Sequence, residues 1–267
     1  GMSTLDFIAL KRHISGEELI TEPYKLYAAD LDGNGHIGAN DLLLLRKALL
    51  GGFKIPGFEG NLNWIFFGDP CSPSAPMDLF NAYCHNGVEV DHTGTFPATV
   101  SFKALKMGDV NGDNVNTAWS LTSRTDKTLP LYVRENPTDH SYDVLLSADA
   151  SVYGFQMSLD ARDIELTGAL LPVDQSNIAL DKEGYSRISW GQTTAIDLKK
   201  DDILFTISGL AIGRQLEDVL MTDEEGLYPE IYTQGLKNQK IEFQPYQVTS
   251  STGVLETKVT PNPFSDN

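Results

Sequence analysis

The chain has 267 residues, of which 41% are hydrophobic and 9% aromatic, so it is long enough for two globular domains and is not intrinsically disordered. Its 37 acidic and 20 basic residues give a formal net charge of −17 at pH 7, which argues against nucleic-acid binding because phosphates require an excess of Lys and Arg. The sequence also contains no apolar run approaching the roughly 18 residues that a membrane-spanning helix needs.

An internal repeat opens the chain. Residues 6–16 (DFIALKRHISG) align without gaps on residues 41–51 (DLLLLRKALLG). Both copies have apolar residues at helical spacing, a basic pair at the same two positions, and a final glycine that can cap the C-terminus of a helix. The repeat therefore predicts two equivalent helices, each entered from an acidic loop.

The segment that leads into the second helix, residues 30–41 (DLDGNGHIGAND), fits a 12-residue calcium-binding loop position by position. Acidic and amide side chains stand at positions 1, 3 and 5, a glycine permits the sharp turn at position 6, and position 7 offers a backbone carbonyl. The predicted ligands are Asp30, Asp32, Asn34, His36 and Asp41. The alternative is a metal-free turn with Asp41 as a helix cap, but three acidic residues would then repel one another without a counter-ion.

Residues 53–118 contain aromatic residues, prolines and both cysteines, and they show little sustained periodicity. In an exported protein we expect Cys71 and Cys84 to pair as a disulfide that closes a short loop. The alternative is a zinc site in which His85 and His92 join the cysteines, although the cysteines lack the two-residue spacing of zinc modules.

A second acidic segment lies near the end of this region. Asp109, Asn111 and Asp113 reproduce positions 1, 3 and 5 of the calcium loop, and the repeat places Asp6 at position 12 of a loop whose first seven positions are absent upstream. We predict that this downstream half-loop folds back beside Asp6 and forms a second calcium site from two separated segments. The alternative is a partial or empty loop.

The hydrophobic pattern divides the rest of the chain. Residues 119–127 are polar and predict a linker, whereas residues 128–249 alternate between apolar and polar residues and predict an all-β sandwich. The predicted strands are residues 129–134, 141–147, 153–159, 185–190, 202–208 and 240–246. The predicted architecture is therefore multidomain, with an α-helical calcium-binding domain over residues 1–118 that carries an irregular extension, then the sandwich, then a polar tail over residues 250–267.

The duplicated loop–helix unit, without the entering helix of an EF-hand, resembles a type I dockerin over residues 2–51. The resemblance implies calcium as the cofactor and binding to a cohesin-like domain, either in trans or within the same chain. It also implies that loop positions 10 and 11 and the following basic pair contact the partner. Carried over, these residues are Thr4, Leu5, Lys11 and Arg12 in the first unit and Ala39, Asn40, Arg46 and Lys47 in the second. The truncated first loop departs from the dockerin pattern.

Two further resemblances concern the C-terminal half. Residues 154–159 (GFQMSL), 186–190 (SRISW) and 201–207 (DDILFTI) are similar to strands of a cohesin-type sandwich, although a generic immunoglobulin-like sandwich would show similar strands. Residues 261–267 (PNPFSDN) resemble the beginning of the C-terminal sorting domain used by type IX secretion in Bacteroidetes. These resemblances imply an extracellular or cell-surface location, and we expect the chain to be a fragment of a longer protein.

The sequence lacks the motifs of metalloproteases, serine hydrolases, P-loop proteins and dinucleotide-binding enzymes. We therefore predict a non-enzymatic, calcium-dependent assembly or adhesion module. One alternative is a structural spacer that displays a catalytic domain outside this chain. Another is polysaccharide binding by exposed aromatic residues of the sandwich such as Tyr153, Tyr185 or Trp190, for which core packing is the competing interpretation.

Overall fold

The computed structural model describes residues 2–51, 64–68, 102–112, 127–221 and 227–247, in which a short helical region precedes a mostly β region. Several predicted features lie outside the described residues. They are the disulfide or zinc residues Cys71, Cys84, His85 and His92, the ligand Asp113, residues 119–126 of the predicted linker, and the tail over residues 250–267.

Three helices form the N-terminal region: α1 (Thr4–Ser15), α2 (Pro23–Ala29) and α3 (Ala39–Leu49). The first and third are the two helices that the repeat predicts. The helix α2 was not predicted, because proline usually interrupts a helix. In α2 the proline stands in the first turn, where its fixed φ suits the helix and where a backbone N–H would have no partner within the helix. No helix in the described part of the chain is long and apolar enough to cross a membrane.

A small apolar core joins these helices to residues 102–112, which follow later in the chain. Leu10 of α1 and Leu45 of α3 are fully buried and pack with Met107 and Val110. The Gly108 amide also donates to the carbonyl of Ala28 at the end of α2, at 2.9 Å. Residues 102–112 therefore belong structurally to the helical region.

A two-stranded sheet covers α2. The strands β1 (Trp64–Gly68) and β2 (Phe102–Lys106) pair in the antiparallel direction. Phe67 of β1 is fully buried, and its ring lies edge-on to the rings of Tyr24 and Tyr27, with centroid distances of 5.6 Å to each. This aromatic cluster holds the small sheet against α2.

Nine further strands form one hydrogen-bonded sheet in the order β6-β9-β4-β3-β11-β10-β5-β8-β7, with only the β11–β3 pair parallel among the pairs that the structure describes. They are β3 (Thr128–Glu135), β4 (Tyr142–Leu146), β5 (Ala150–Leu159), β6 (Glu165–Gly168), β7 (Ile178–Leu180), β8 (Ser186–Leu198), β9 (Ile203–Ser208), β10 (Glu230–Thr233) and β11 (Lys237–Pro245). A short helix, α4 (Leu216–Val219), and 3₁₀ turns at Gln175–Asn177 and Gln234–Leu236 lie in the connections.

The nine-stranded sheet folds over on itself. Phe155 of β5 stacks on Phe205 of β9 with a centroid distance of 4.8 Å, although four strands separate β5 from β9 in the hydrogen-bonded order. The ring centroid of Trp190 on β8 lies 6.0 Å from that of Phe155, and Trp190 is also buried. The result is a nearly closed, barrel-like sandwich whose core lies between the two ends of the sheet.

A buried carboxylate organises the turn between β7 and β8. Asp181 accepts hydrogen bonds from the amides of Gly184 and Tyr185, both at 2.9 Å, and from Nε of Arg187 at 2.8 Å. Burial would raise the pKa of Asp181, but the Tyr185 amide and the Arg187 guanidinium favour the ionised form more strongly, so its pKa lies below the ordinary value. This turn contacts the helical region, because a Cβ added at Gly51, after α3, would lie 2.7 Å from Cβ of Asp181.

We predict that Asp181→Asn lowers the free energy of unfolding by about 1–3 kcal/mol at pH 7, because it removes a charged acceptor from three donors. A carboxyl group with a lowered folded-state pKa stabilises the fold above its unfolded pKa of about 4, and that stabilisation disappears as the pH falls through the folded-state value. The free energy of unfolding, measured with urea, should therefore differ more between wild type and variant at pH 7 than at about pH 3. A difference that is equal at the two pH values would contradict this role.

Candidate metal site and docking interface

The loop between α2 and α3 winds around the side chain of Asp30. Its Oδ1 accepts hydrogen bonds from the amides of Gly33 at 3.0 Å and Asn34 at 3.1 Å, and its Oδ2 accepts from the amide of Gly35 at 2.8 Å. Gly33 and Gly35 have φ angles of 72° and 82°, which side chains rarely adopt, and these two left-handed residues let the loop curl around the carboxylate. Asp30 is 3% exposed as a result.

Asp41 closes the same loop from the start of α3. Its Oδ1 accepts hydrogen bonds from the amides of Leu31 at 2.8 Å and Asp32 at 3.2 Å. Its Oδ2 accepts from the amide of Gly38, the residue before α3, at 2.8 Å. One carboxylate therefore caps the helix and ties the first residues of the loop to it.

The loop brings oxygen ligands together at one point. Asp30, Asp32 and Asp41 each place a carboxylate oxygen within 4.8 Å of the others. The Asn34 side-chain oxygen accepts from the His36 amide at 2.7 Å, and the His36 side chain is exposed. A cluster of carboxylate, amide and carbonyl oxygens suits a hard cation such as Ca²⁺, so the residues present fit the metal that the loop pattern predicts.

The electrostatics of the loop favour a cation. Burial raises the pKa of Asp30; the Gly35 amide opposes this shift and the neighbouring charge of Asp41 adds to it. In contrast, the hydrogen bond from the Asn40 side chain lowers the pKa of Asp32, which is half-exposed. A bound cation would relieve the repulsion among these carboxylates.

The structure also places the predicted downstream half-loop beside α1. The amides of Val110 and Asn111 donate to Oδ1 of Asp6 at 2.8 and 2.9 Å, across 104 and 105 residues of sequence. Asp6 is fully buried and Asp109 is 4% exposed. Asp6, Asp109 and Asn111 thus lie in one structural unit, whereas Asp113 lies outside the described residues.

The first turn of α1 is bound to the sandwich. The Thr4 amide donates to Oε1 of Gln156 on β5 at 2.7 Å, and the Thr4 hydroxyl forms a 2.7 Å hydrogen bond with the hydroxyl of Ser189 on β8. Thr4 is fully buried by these contacts. These hydrogen bonds pair buried polar groups of the helix with polar groups of the sheet, so the interface has a defined register.

One turn further along α1, Ile8 packs onto a pair of glycines. Gly154 of β5 and Gly191 of β8 are register partners across the sheet. A Cβ added at Gly154 would lie 3.1 Å from Cδ1 of Ile8, and one added at Gly191 would lie 2.9 Å from its Cγ1. The two glycines therefore allow a close approach between the helix and the sheet that larger residues would prevent.

Two arginines extend the interface. The Arg12 guanidinium lies 5.2 Å from the ring centroid of Tyr153 and donates to the carbonyl of Thr193 at 3.1 Å. Arg46 of α3 donates to the carbonyl and hydroxyl oxygens of Ser176 at 2.8 and 3.0 Å. Cation–π and charged hydrogen-bond contacts of this kind add orientation to the apolar packing.

The predicted partner-binding residues thus fall into two groups. In the first unit, Thr4 and Arg12 contact the sandwich, and Leu5 and Lys11 are half-buried. In the second unit, Ala39, Asn40 and Lys47 are exposed, whereas Arg46 donates hydrogen bonds to Ser176 of the sandwich.

The aromatic residues considered for polysaccharide binding are not an open stacking surface. Trp190 is 6% exposed and belongs to the sandwich core, which agrees with the core-packing interpretation. Tyr153 lies beneath Arg12, and Tyr185 is half-buried.

Sequence reasoning missed the sandwich residues that receive α1, namely Gln156, Ser189, Gly154 and Gly191. The glycines carried a usable signal, because a glycine inside a strand often marks a close backbone approach. Nothing in the local pattern distinguished Gln156 and Ser189 from ordinary polar strand residues.

Comparison with known proteins finds a family match for the N-terminal part of the chain. Residues 2–50 match the dockerin type I domain family. These residues contain α1, α2, the acidic loop and α3. No curated protein and no solved structure matches the chain.

We predict that Asp32→Asn weakens Ca²⁺ binding by about tenfold or more, because affinity in such loops follows the number of charged ligands. The metal-free protein should unfold at nearly the same denaturant concentration, because the Asp32 side chain is only half-buried. Isothermal titration calorimetry measures the affinity. Glu17→Gln is the matched control, because it removes an exposed charge outside the loop; equal affinities for the two variants would contradict the assignment.

Proposed function

We propose that the chain is a non-catalytic, calcium-dependent assembly protein in which a dockerin module binds the β-sandwich of the same chain. Dockerin type I domains are calcium-binding, non-catalytic modules that bind cohesin domains, and residues 2–50 match that family. In this proposal residues 1–118 form the dockerin module with its extension, and residues 128–249 form a cohesin-like domain.

Calcium acts through the loop at residues 30–41. Its proposed ligands are the side chains of Asp30, Asp32, Asn34 and Asp41 and the carbonyl of His36. Support comes from the three carboxylate oxygens that lie within 4.8 Å of one another. An ion bound only by the folded loop stabilises the arrangement of α2 and α3 by mass action.

The contact between α1 and the sandwich is the observation that supports the sandwich of this chain as the partner of the dockerin module. Thr4, Ile8 and Arg12 lie on one face of α1, and all three contact β5, β8 or the residues beside them. Thr4 and Arg12 are among the residues that the dockerin resemblance assigns to partner binding. The face expected to hold a cohesin-like domain therefore holds this chain's own sandwich, whose segments 154–159 and 186–190 supplied the cohesin resemblance.

A separate cohesin-like partner is the second candidate, because the second unit leaves an equivalent face open. Leu43 occupies the position of Ile8 in the repeat and is 48% exposed, whereas Ile8 is fully buried. Ala39 and Lys47, which flank Leu43 on α3, are exposed too. Binding in trans through α3 would leave the contact of α1 in place.

The biological setting follows from the same resemblance. Dockerin modules assemble extracellular or cell-surface proteins, so we place this chain there and retain type IX secretion as the proposed route. A spacer that displays a catalytic domain would use the same calcium-stiffened junction without a separate partner. Polysaccharide binding receives less support, because Trp190 lies in the core and Tyr153 is covered by Arg12.

We predict that Ile8→Asp releases the helical region from the sandwich, because it removes a buried side chain worth about 1.5–3 kcal/mol and places a charge against the sheet. Hydrogen exchange in β5 and β8 should accelerate, and the radius of gyration measured by small-angle X-ray scattering should increase.

The repeat supplies the matched control for this experiment. Leu43→Asp introduces the same charge at the equivalent, exposed position of α3, so it should change neither measurement. Docking within the chain would be refuted if the two variants gave the same exchange pattern and the same radius of gyration.

A further inference from the structure

A cleft of about 560 Å³ lies at one end of the sandwich, beside the last residues of β3 and β11 and the first residue of β4. The short helix α4, which packs against β11, forms one of its sides. The contacts of α1 described above are on β5 and β8, so the cleft is separate from that interface.

One wall of the cleft is aromatic. Phe243 of β11 and Tyr246, just after β11, are half-buried. The ring of Tyr132 packs edge-on against the ring of Tyr246, with centroids 5.9 Å apart, and holds it in place. The Arg134 guanidinium, which is paired with Asp143 at 2.7 Å, lies over the Tyr246 ring at 5.6 Å from its centroid. The wall therefore combines apolar surface with a ring that already attracts a cation.

The α4 side of the cleft contains a carboxylate oxygen without a donor. Oε2 of Glu217 is buried and accepts no hydrogen bond from the residues that the structure describes. The hydroxyl of Tyr142, which lines the same cleft, donates to the carbonyl of Arg214 at 3.1 Å. Buried polar atoms almost always have a hydrogen-bond partner, because the loss of water is otherwise uncompensated. Glu217 therefore offers one buried oxygen to a ligand that donates a hydrogen bond.

The charges of the cleft are mainly negative. Among the described residues its lining carries three carboxylates and one guanidinium, those of Glu135, Glu217, Asp218 and Arg134. Burial raises the pKa of the Tyr142 phenol, and the nearby charges of Glu135 and Glu217 raise it further. Two of the carboxylates thus lie close enough to one side chain of the cleft to act on it together. An excess of negative charge in a cleft attracts cations.

We propose that the cleft binds the alkylammonium group of a lysine side chain carried by a partner protein. The ammonium donates to Oε2 of Glu217, and the methylene groups of the lysine lie against Phe243 and Tyr246. Glu135 and Asp218 are exposed at the cleft, so they add attraction at longer range and leave the entrance open to a side chain on a polypeptide. This inference goes beyond calcium-dependent assembly and does not depend on it.

The chemistry of the cleft favours an ammonium over other polar groups. A guanidinium pairs best with two carboxylate oxygens side by side, whereas Glu217 has one buried oxygen without a donor. A neutral sugar would leave the three carboxylates uncompensated, and it would meet a Tyr246 ring with one face beneath Arg134. A compact ammonium on an apolar stem satisfies both the buried oxygen and the apolar wall.

The test titrates a short peptide, in which glycines flank one lysine and both ends are blocked, into the full chain. NMR shifts of residues 133–135 and 243–246 give the dissociation constant and locate the binding. The same peptide with an Nε-acetylated lysine, which is uncharged, should bind at least about tenfold more weakly. Glu217→Gln should weaken binding of the lysine peptide by at least about tenfold, because it removes the charged acceptor.

Glu165→Gln is the matched control, because it removes an exposed carboxylate on β6, outside the cleft. It should change the affinity by less than about twofold, because salt screens an exposed charge outside the site. Equal weakening by the two variants would show that the peptide responds to the net charge of −17 and would overturn the proposal. Equal binding of the charged and acetylated peptides would also overturn it.

Two further ligands test the identity of the occupant. Butylammonium carries the same charged group and should bind more weakly than the peptide, because it lacks the backbone that would contact the entrance of the cleft. Equal affinities would show that the cleft takes a free amine, against the proposed protein partner. A neutral oligosaccharide that shifts the same resonances when the lysine peptide does not would make the cleft a sugar site and the proposal wrong.

Tyr246→Leu keeps the proposal testable if Glu217→Gln fails to fold. Leucine retains apolar surface but removes the ring, so the affinity for the lysine peptide should fall about two- to fivefold while that for the acetylated peptide stays the same. Wild-type affinity for the lysine peptide in this variant would contradict the aromatic contact.

Discussion

The helical region depends on a buried carboxylate placed at the third residue of a helix. A buried charge is unfavourable unless hydrogen bonds compensate it, and at Asp41 three backbone amides do so. These amides belong to the residue before the helix and to the start of the loop, so one side chain determines where α3 begins and how the loop returns to it. Without that carboxylate, the helix would lose its cap and the loop its anchor.

The docking interface depends on a different constraint, the absence of side chains. A helix can approach a sheet closely only where the strands offer no Cβ, and Gly154 and Gly191 provide such a place opposite Ile8. Polar contacts from Thr4 then set the register of the helix. Because helix and sheet belong to one chain, the effective concentration is high and a small contact can hold them together.

Periodicity in the sequence was sufficient to predict the elements with long, regular patterns. It predicted α1 and α3 from the repeat. From alternation it predicted six strands, namely β3, β4, β5, β8, β9 and β11. It did not predict β6, β7 and β10, which have only four, three and four residues and are too short for alternation to be recognised. The helix α2 was not predicted, because its first residue is Pro23 and a proline is ordinarily expected to interrupt a helix.

The candidate site divides in a similar way between local and non-local information. The spacing of Asp30, Asp32 and Asp41 is local, and the loop geometry follows from it together with the positive φ of Gly33 and Gly35. Gln156 and Ser189 became recognisable only when the fold brought them to Thr4, across 152 and 185 residues. Their role depends on strand register, which no short pattern contains.

The repeat alone leaves open which of its two helices packs its central apolar residue against the sandwich. Both units have an aspartate at the third residue of the helix, two basic residues at equivalent positions and an apolar residue at the same position, yet Ile8 is buried and Leu43 is 48% exposed. The two units differ in the sequence position of the loop that binds the aspartate at the start of each helix. The loop of the second unit directly precedes its helix, whereas the amides bound to Asp6 belong to residues 110 and 111, in the segment that precedes the sandwich in the chain. A strand-bearing segment that must reach Asp6 keeps α1 and the sandwich close, so the interrupted unit is the one positioned to dock.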